Sequence, residues 1–269
     1  MIPALISLYT SGGFSGSGST DYSSWGSSNV KGSYVQLIAS TTYDTVGFFL
    51  FITGTGGGTK TCLFDVAIGA ASSEQIIAPD ILWSNHSWNE NGALIWIPVR
   101  IPAGSRIAVR GQRNGSGDCD IGILLMGPKG GFPFVARLDA YGSDTSDSGG
   151  TSVDPGASAG TKGAYSQLAS STTYDVAGLV VCCGPIGDFN SSREWNIDIA
   201  VGAASSEQII LPNLHTSMNN DQRANAPQWM GPFFIAIPSG SRIAARAACN
   251  STTSSQRIID VAVYGLRVA

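Results

Sequence analysis

Short apolar runs separated by polar turns fill the chain, and no stretch keeps the three-to-four-residue apolar spacing of an amphipathic helix. Residues 1–10 read as a first short strand. Residues 11–29 are Gly/Ser/Thr-rich and read as an extended loop. Tyr34–Ile38 (YVQLI) alternates, which predicts a strand. Val46–Thr53 (VGFFLFIT) is apolar almost throughout, as a buried central strand should be. Cys62–Gly69 places Phe64, Val66 and Ile68 on one face. Gln75–Ala78 begins another strand, which Pro79 is expected to end, leaving Trp83–Gly92 as a polar loop. Ala93–Val99, Arg106–Arg110 and Cys119–Met126 complete the series, with a Pro-Ala-Gly-Ser turn at 102–105. About eight short strands joined by turns predict an antiparallel β-sandwich of the jelly-roll or immunoglobulin-like kind.

The same series then occurs again. Gly69–Ile77 (GAASSEQII) recurs letter for letter at Gly202–Ile210. Lys31–Gly47 matches Lys162–Gly178 at 11 of 17 positions, and Ile101–Arg110 (IPAGSRIAVR) returns as Ile237–Arg246 (IPSGSRIAAR). A period of about 130 residues is the size of a domain, not of a solenoid repeat. The chain therefore reads as all-β, two tandem sandwiches related by duplication, spanning 1–130 and 131–269. The short link between them predicts modules in fixed contact.

Composition narrows the function. Charged residues are 13% of the chain and glycine is 34 of 269, so the surface is hydroxyl and amide in character. A net charge of −4 without any Lys/Arg run gives no footprint for nucleic acid or an anionic membrane. The N-terminal sequence lacks a basic region followed by a long apolar core, so it reads as mature sequence made in a cytoplasm.

Polar residues shared by both copies are the first candidates for chemistry. Arg106 and Arg110, with Arg242 and Arg246, lie four apart on strands and share a face. Glu74 and Glu207 are candidate partners. One reading is a carboxylate- or sugar-binding site; the other is ion pairs that fix strand order. No two of Asp44, Asp65 and Glu74 are singled out as a glycosidase pair. The Asp of each TTYD stretch suits turn amides. His86 and His215 lie without a GxSxG elbow. Asp118–Asp120 and Asp144–Asp147 lack EF-hand spacing, and the Gly-rich segments lack a Walker lysine. No catalytic set, metal or cofactor is expected. Trp83, Trp88 and Trp229 are candidates for a subunit interface or for stacking on sugar rings.

Cys62, Cys119, Cys182, Cys183 and Cys249 show no zinc-ligand spacing and do not align between the copies. They read either as buried thiols or as disulfide partners. Alternation puts Cys182 and Cys183 on opposite faces, which leaves Cys249 as the intrachain partner and Cys62 or Cys119 for a bond between chains.

The frame KGxYxQL…TTYD…DxAxGAASSEQII…IPxGSRIAxR…YGL resembles β-sandwich modules of tailed-phage virion proteins: neck, collar, head-decoration and fibre-base components. The resemblance implies a non-enzymatic virion part, made in the host cytoplasm. It implies a homo-oligomer, a trimer in preference, touching other virion proteins, with room for disulfides between subunits. A carbohydrate-binding module for host-surface glycans is the alternative.

Overall fold

The computed structural model describes residues 8–11, 20–55, 60–85, 92–127, 135–185, 192–218 and 227–268. Their regular structure is β apart from one four-residue helix, α1 (Ser254–Arg257). The first module holds β1 (Leu8–Ser11), β2 (Thr20–Tyr22), β3 (Val35–Ile38), β4 (Gly47–Thr55), β5 (Lys60–Ile68), β6 (Gln75–Asn85), β7 (Ala93–Ile97), β8 (Ile107–Gly115) and β9 (Asp118–Met126). Sheet I runs β1-β9-β4-β7, with β2 also on β9; sheet II runs β3-β8-β5-β6. From β6 onward each strand crosses to the opposite sheet, which is the wrapping of a jelly roll.

The second module holds β10 (Val135–Tyr141), β11 (Ser143–Asp144), β12 (Gly149–Val153), β13 (Ser166–Ala169), β14 (Leu179–Pro185), β15 (Arg193–Val201), β16 (Gln208–Met218), β17 (Gln228–Phe233), β18 (Ile243–Cys249) and β19 (Ile259–Val268). Sheet III runs β11-β12-β19-β14-β17 with β10 on β19, and sheet IV runs β13-β18-β15-β16. The order repeats that of sheets I and II, so the two modules are the same jelly roll. The 130/131 boundary expected from sequence falls between β9 and β10, outside the described residues.

Alternation sets what each strand buries. On β4, Phe48, Leu50 and Ile52 point inward and are fully buried, while Phe49 and Phe51 point out and are partly exposed. Each large side chain so buried contributes about 1.5–3 kcal/mol.

Two expectations need correction. β6 does not end at Pro79 but continues to Asn85. It is an edge strand, where a missing N–H breaks no ladder bond, and the ladder slips beside it, between Phe64 and Val66. Asp80 takes φ 48°, and its N–H donates to Asp65 Oδ1 at 2.9 Å. Pro212 and Asn213 (φ 51°) repeat the device on β16, with Asp198 accepting at 2.9 Å. Trp83 therefore sits on a strand, not in a loop, and His215 lies on the matching strand β16. The stretch 11–29, expected to be a loop, contains β2, and the polar stretch 142–161 contains the β11–β12 hairpin.

The outer face of sheet III lies over the β6 edge and the adjoining outer face of sheet II. Leu138, Val180, Cys182, Tyr264 and Leu266 share one buried cluster with Leu63 and Leu82 of the first module. Tyr264 Oη donates to the Asp80 carbonyl and accepts from the Leu82 N–H, both at 2.8 Å. Around this centre, Gln112 Nε2 donates to the Thr145 carbonyl at 2.8 Å and Ser143 Oγ to the Asp80 carbonyl at 3.3 Å. The four sheets thus stack in the order I, II, III, IV.

Candidate functional site

The duplicated polar residues form one network, built twice. Arg106 reaches Glu74 Oε1 (3.0 Å), Gln36 Oε1 (2.9 Å) and the Gly69 carbonyl (3.2 Å). Arg242 makes the same contacts to Glu207, Gln167 and Gly202 at 2.9, 3.0 and 3.2 Å. Arg110 donates to Asp65 Oδ2 at 2.9 Å, and Lys31 to Asp65 Oδ1 at 2.9 Å. Arg246 and Lys162 hold Asp198 in the same way at 2.9 and 2.8 Å. The arginines therefore take different acids: among the described residues Glu74 pairs with Arg106, through one nitrogen, and Asp65 serves Arg110. Asp65, on the middle strand β5, joins the Lys31 loop to β8 and to the bend of β6. Burial opposes ionisation of Asp198, but Lys162, the Asn213 N–H and Arg246 overcome it and hold its carboxyl below the usual range. Asp44 and Asp175 accept from the Ala103 and Ser239 N–H groups, closing the turn at the end of each sandwich. These groups satisfy one another and tie strands together.

The tryptophans separate. Trp83 is fully buried in the first core, with Lys60 Nζ 5.9 Å from its ring centre, so it cannot meet a sugar or a subunit. Its strand places it opposite Cys62, a small partner that leaves room for the indole. Trp229 is partly buried and stacks on Tyr264 at 4.8 Å, within the module interface. Trp88 and His86 lie outside the described residues. On the outer face of sheet I, Phe49 and Trp96 lie 4.8 Å apart and both are partly exposed, as is Phe51. Beside them Leu94 is 56% exposed, and Leu124 and Met126 are partly exposed. Sequence reading assigned these residues to strands but not to a face, because β4 is apolar on both sides.

All five cysteines are free and buried. Cys182 faces the first module and Cys183 its own core, as alternation requires. Burial pushes the Cys62 thiol well above its ordinary range, as does Cys119 beside it. Neither thiol is at the surface of the chain, and Cys249 pairs with neither Cys182 nor Cys183. Among the described residues no group of His, Cys, Asp or Glu is placed to hold a metal ion. Asp118 instead accepts from Trp25 Nε1 at 3.0 Å, and Asp144 and Asp147 from nearby N–H groups.

Sequence reading missed Asp260. Burial raises its carboxyl to about 7, helped by Asp147 and opposed by the Gly150 N–H. A lone acid in the apolar run IIDVAVYGL was the available signal.

No family model and no curated protein matches the chain. Solved structures with a similar build include the N-terminal CBM22-1–CBM22-2 tandem domain of Paenibacillus barcinonensis Xyn10C. Its TM-score is 0.30 at 9% identity, covering 98% of this chain and 91% of that one. Another is the infectious bursal disease virus Gx strain structure, at 0.25 and 13%, covering 86% of this chain and 63% of that one. The Bacillus thuringiensis delta-endotoxin Cry8Ea1 scores 0.28 at 8%, with 86% and 54% covered. At these scores the likenesses carry no argument about function.

Proposed function

We propose that the chain is a non-enzymatic structural part of a particle, a tailed-phage virion component of the neck, collar or decoration kind, that works by packing against further copies of itself. The observation that supports this is the outer face of sheet I. Its counterpart on sheet III is covered by the first module, whereas on sheet I Phe49, Leu94, Trp96, Leu124 and Met126 reach the surface. Apolar side chains grouped on one sheet face and left partly exposed, with Leu94 the most exposed of them, mark an interaction site. The jelly roll is itself an architecture of viral capsid and lectin domains. The network around Asp65 and Asp198 makes each module a braced block, which suits a load-carrying part. The glycan-binding reading loses Trp83 to the core and Trp229 to the module interface. Native mass spectrometry at micromolar concentration tests the proposal. Species above the 27.9 kDa chain are expected. A monomer at every concentration would defeat it.

A further inference from the structure

The duplication lets the chain show how each outer sheet face is used. By strand order and register, Phe49 of β4 corresponds to Val180 of β14, Leu124 of β9 to Tyr264 of β19, and Met126 to Leu266. Sheet III buries its set against the β6 edge and outer face of sheet II, which present Leu82 and Leu63. Repeating that contact between molecules would set sheet I of one copy on sheet IV of the next, a head-to-tail chain.

The residues oppose this. Where sheet II has Leu63 and Leu82, sheet IV has Asn196 and His215, both exposed and joined by a 3.3 Å contact from His215 Nδ1 to Asn196 Oδ1. Glu194 stands exposed in the place of Thr61. On the other side, the tyrosine hydroxyl that meets the Asp80 carbonyl and Leu82 N–H is replaced by Leu124, which can do neither. Sheet IV is a polar end, as the terminal unit of a stacked array requires. Sheet I is not. Its central side chains carry no charge, and the acids Asp21 and Asp120, cross-strand partners, lie only at one end as a polar rim.

We infer that, in the assembly proposed above, the outer face of sheet I is covered by the same face of a second copy, related by a two-fold axis. An uncharged apolar sheet face is complementary to itself, and a two-fold contact closes at the dimer. An axis lying across the strands sends the two acidic rims to opposite ends. Four strands about 4.8 Å apart, averaging about 23 Å in length, give roughly 450 Å² a side, about 900 Å² in all. That lies at the lower limit for a specific interface, so weak, micromolar-range association is expected. A ring, including the trimer favoured on sequence, would need two unlike complementary faces, and sheets I and IV do not match.

Sedimentation velocity from about 1 to 100 µM, a range that brackets the expected constant, tests this on the whole chain and two variants. The expected result is a monomer–dimer equilibrium that stops at twice the 27.9 kDa chain. Leu94→Glu should weaken it about a hundredfold, since it buries a charge in the contact. His215→Glu, on sheet IV, should leave it unchanged. Both positions are exposed, so folding is preserved, and far-ultraviolet circular dichroism verifies it. Growth beyond the dimer, or loss of association in His215→Glu, would overturn the two-fold contact in favour of head-to-tail stacking. Association indifferent to Leu94→Glu would remove sheet I as the surface while leaving a self-assembling role intact. A wild-type monomer throughout would remove both.

Discussion

Cys62 and Trp83 face each other across β5 and β6; in the second module the same two places hold Trp195 and Thr216. The bulk has crossed the strand pair while the core stayed filled, since Trp83 and Trp195 are both fully buried. Trp83→Thr alone should therefore cost about 3–5 kcal/mol through the cavity it leaves. Adding Cys62→Trp should recover a large part, because contacting residues couple. Urea midpoints of the single and double variants measure it; equal cost in both would mean the sites are independent. Asp260 supplies a second case. Its carboxyl accepts from the Gly150 N–H and Ser152 Oγ, both at 3.2 Å, and burial lifts it from 3.8 to about 7. Between those values the folded protein holds a proton that the unfolded chain has lost, so stability falls as pH rises through that window. At about 1.4 kcal/mol per pH unit the loss is on the order of 4 kcal/mol. Asp260→Asn should remove that slope in denaturation measured from pH 4.5 to 8, values chosen about the window. An unchanged slope would show that Asp260 is already ionised in the fold. Asp198, held low by its cations, acts oppositely and loses its contribution as pH falls through its depressed value.

At the scale of elements, β6 decides most of what is unusual. Its edge N–H and C=O groups at Leu82 and Asp80 are met by Tyr264 from the other module, which covers a strand that would otherwise be open to pairing. Tyr264→Phe should cost about 1–3 kcal/mol, the penalty for leaving buried backbone groups unmet, and should speed hydrogen exchange at residues 80–82. Unchanged exchange there would contradict the role given to the hydroxyl. The strands themselves were legible, because period-two patterns and the duplicated frame mark their positions. Trp83 was not. Pro79 reads as a strand terminator unless the strand is known to be an edge, and edge position is a property of sheet order. The same gap hid Arg110 and Asp65 as partners: they are cross-strand neighbours 45 residues apart.

At the scale of the molecule, two jelly rolls share apolar surface at the contact of sheets II and III. The buried cluster that holds Phe48 and Phe64 of the first module also holds Val180 and Leu266 of the second. Thermal unfolding should accordingly be one calorimetric transition; two resolved transitions would mean that the modules unfold independently. Duplication and fold class were plain in the sequence. Which faces meet was not, since β4 and β14 are apolar on both sides and only packing distinguishes inner from outer. The central claim is that sheet I is the face by which copies join. Amide hydrogen exchange of the wild-type chain, compared between dilute and concentrated solution, tests it most directly. Exchange should slow on concentration in β4 and β7, residues 47–55 and 93–97, with β16 unaffected. Protection in β16 with none in β7, or none in either, would contradict it.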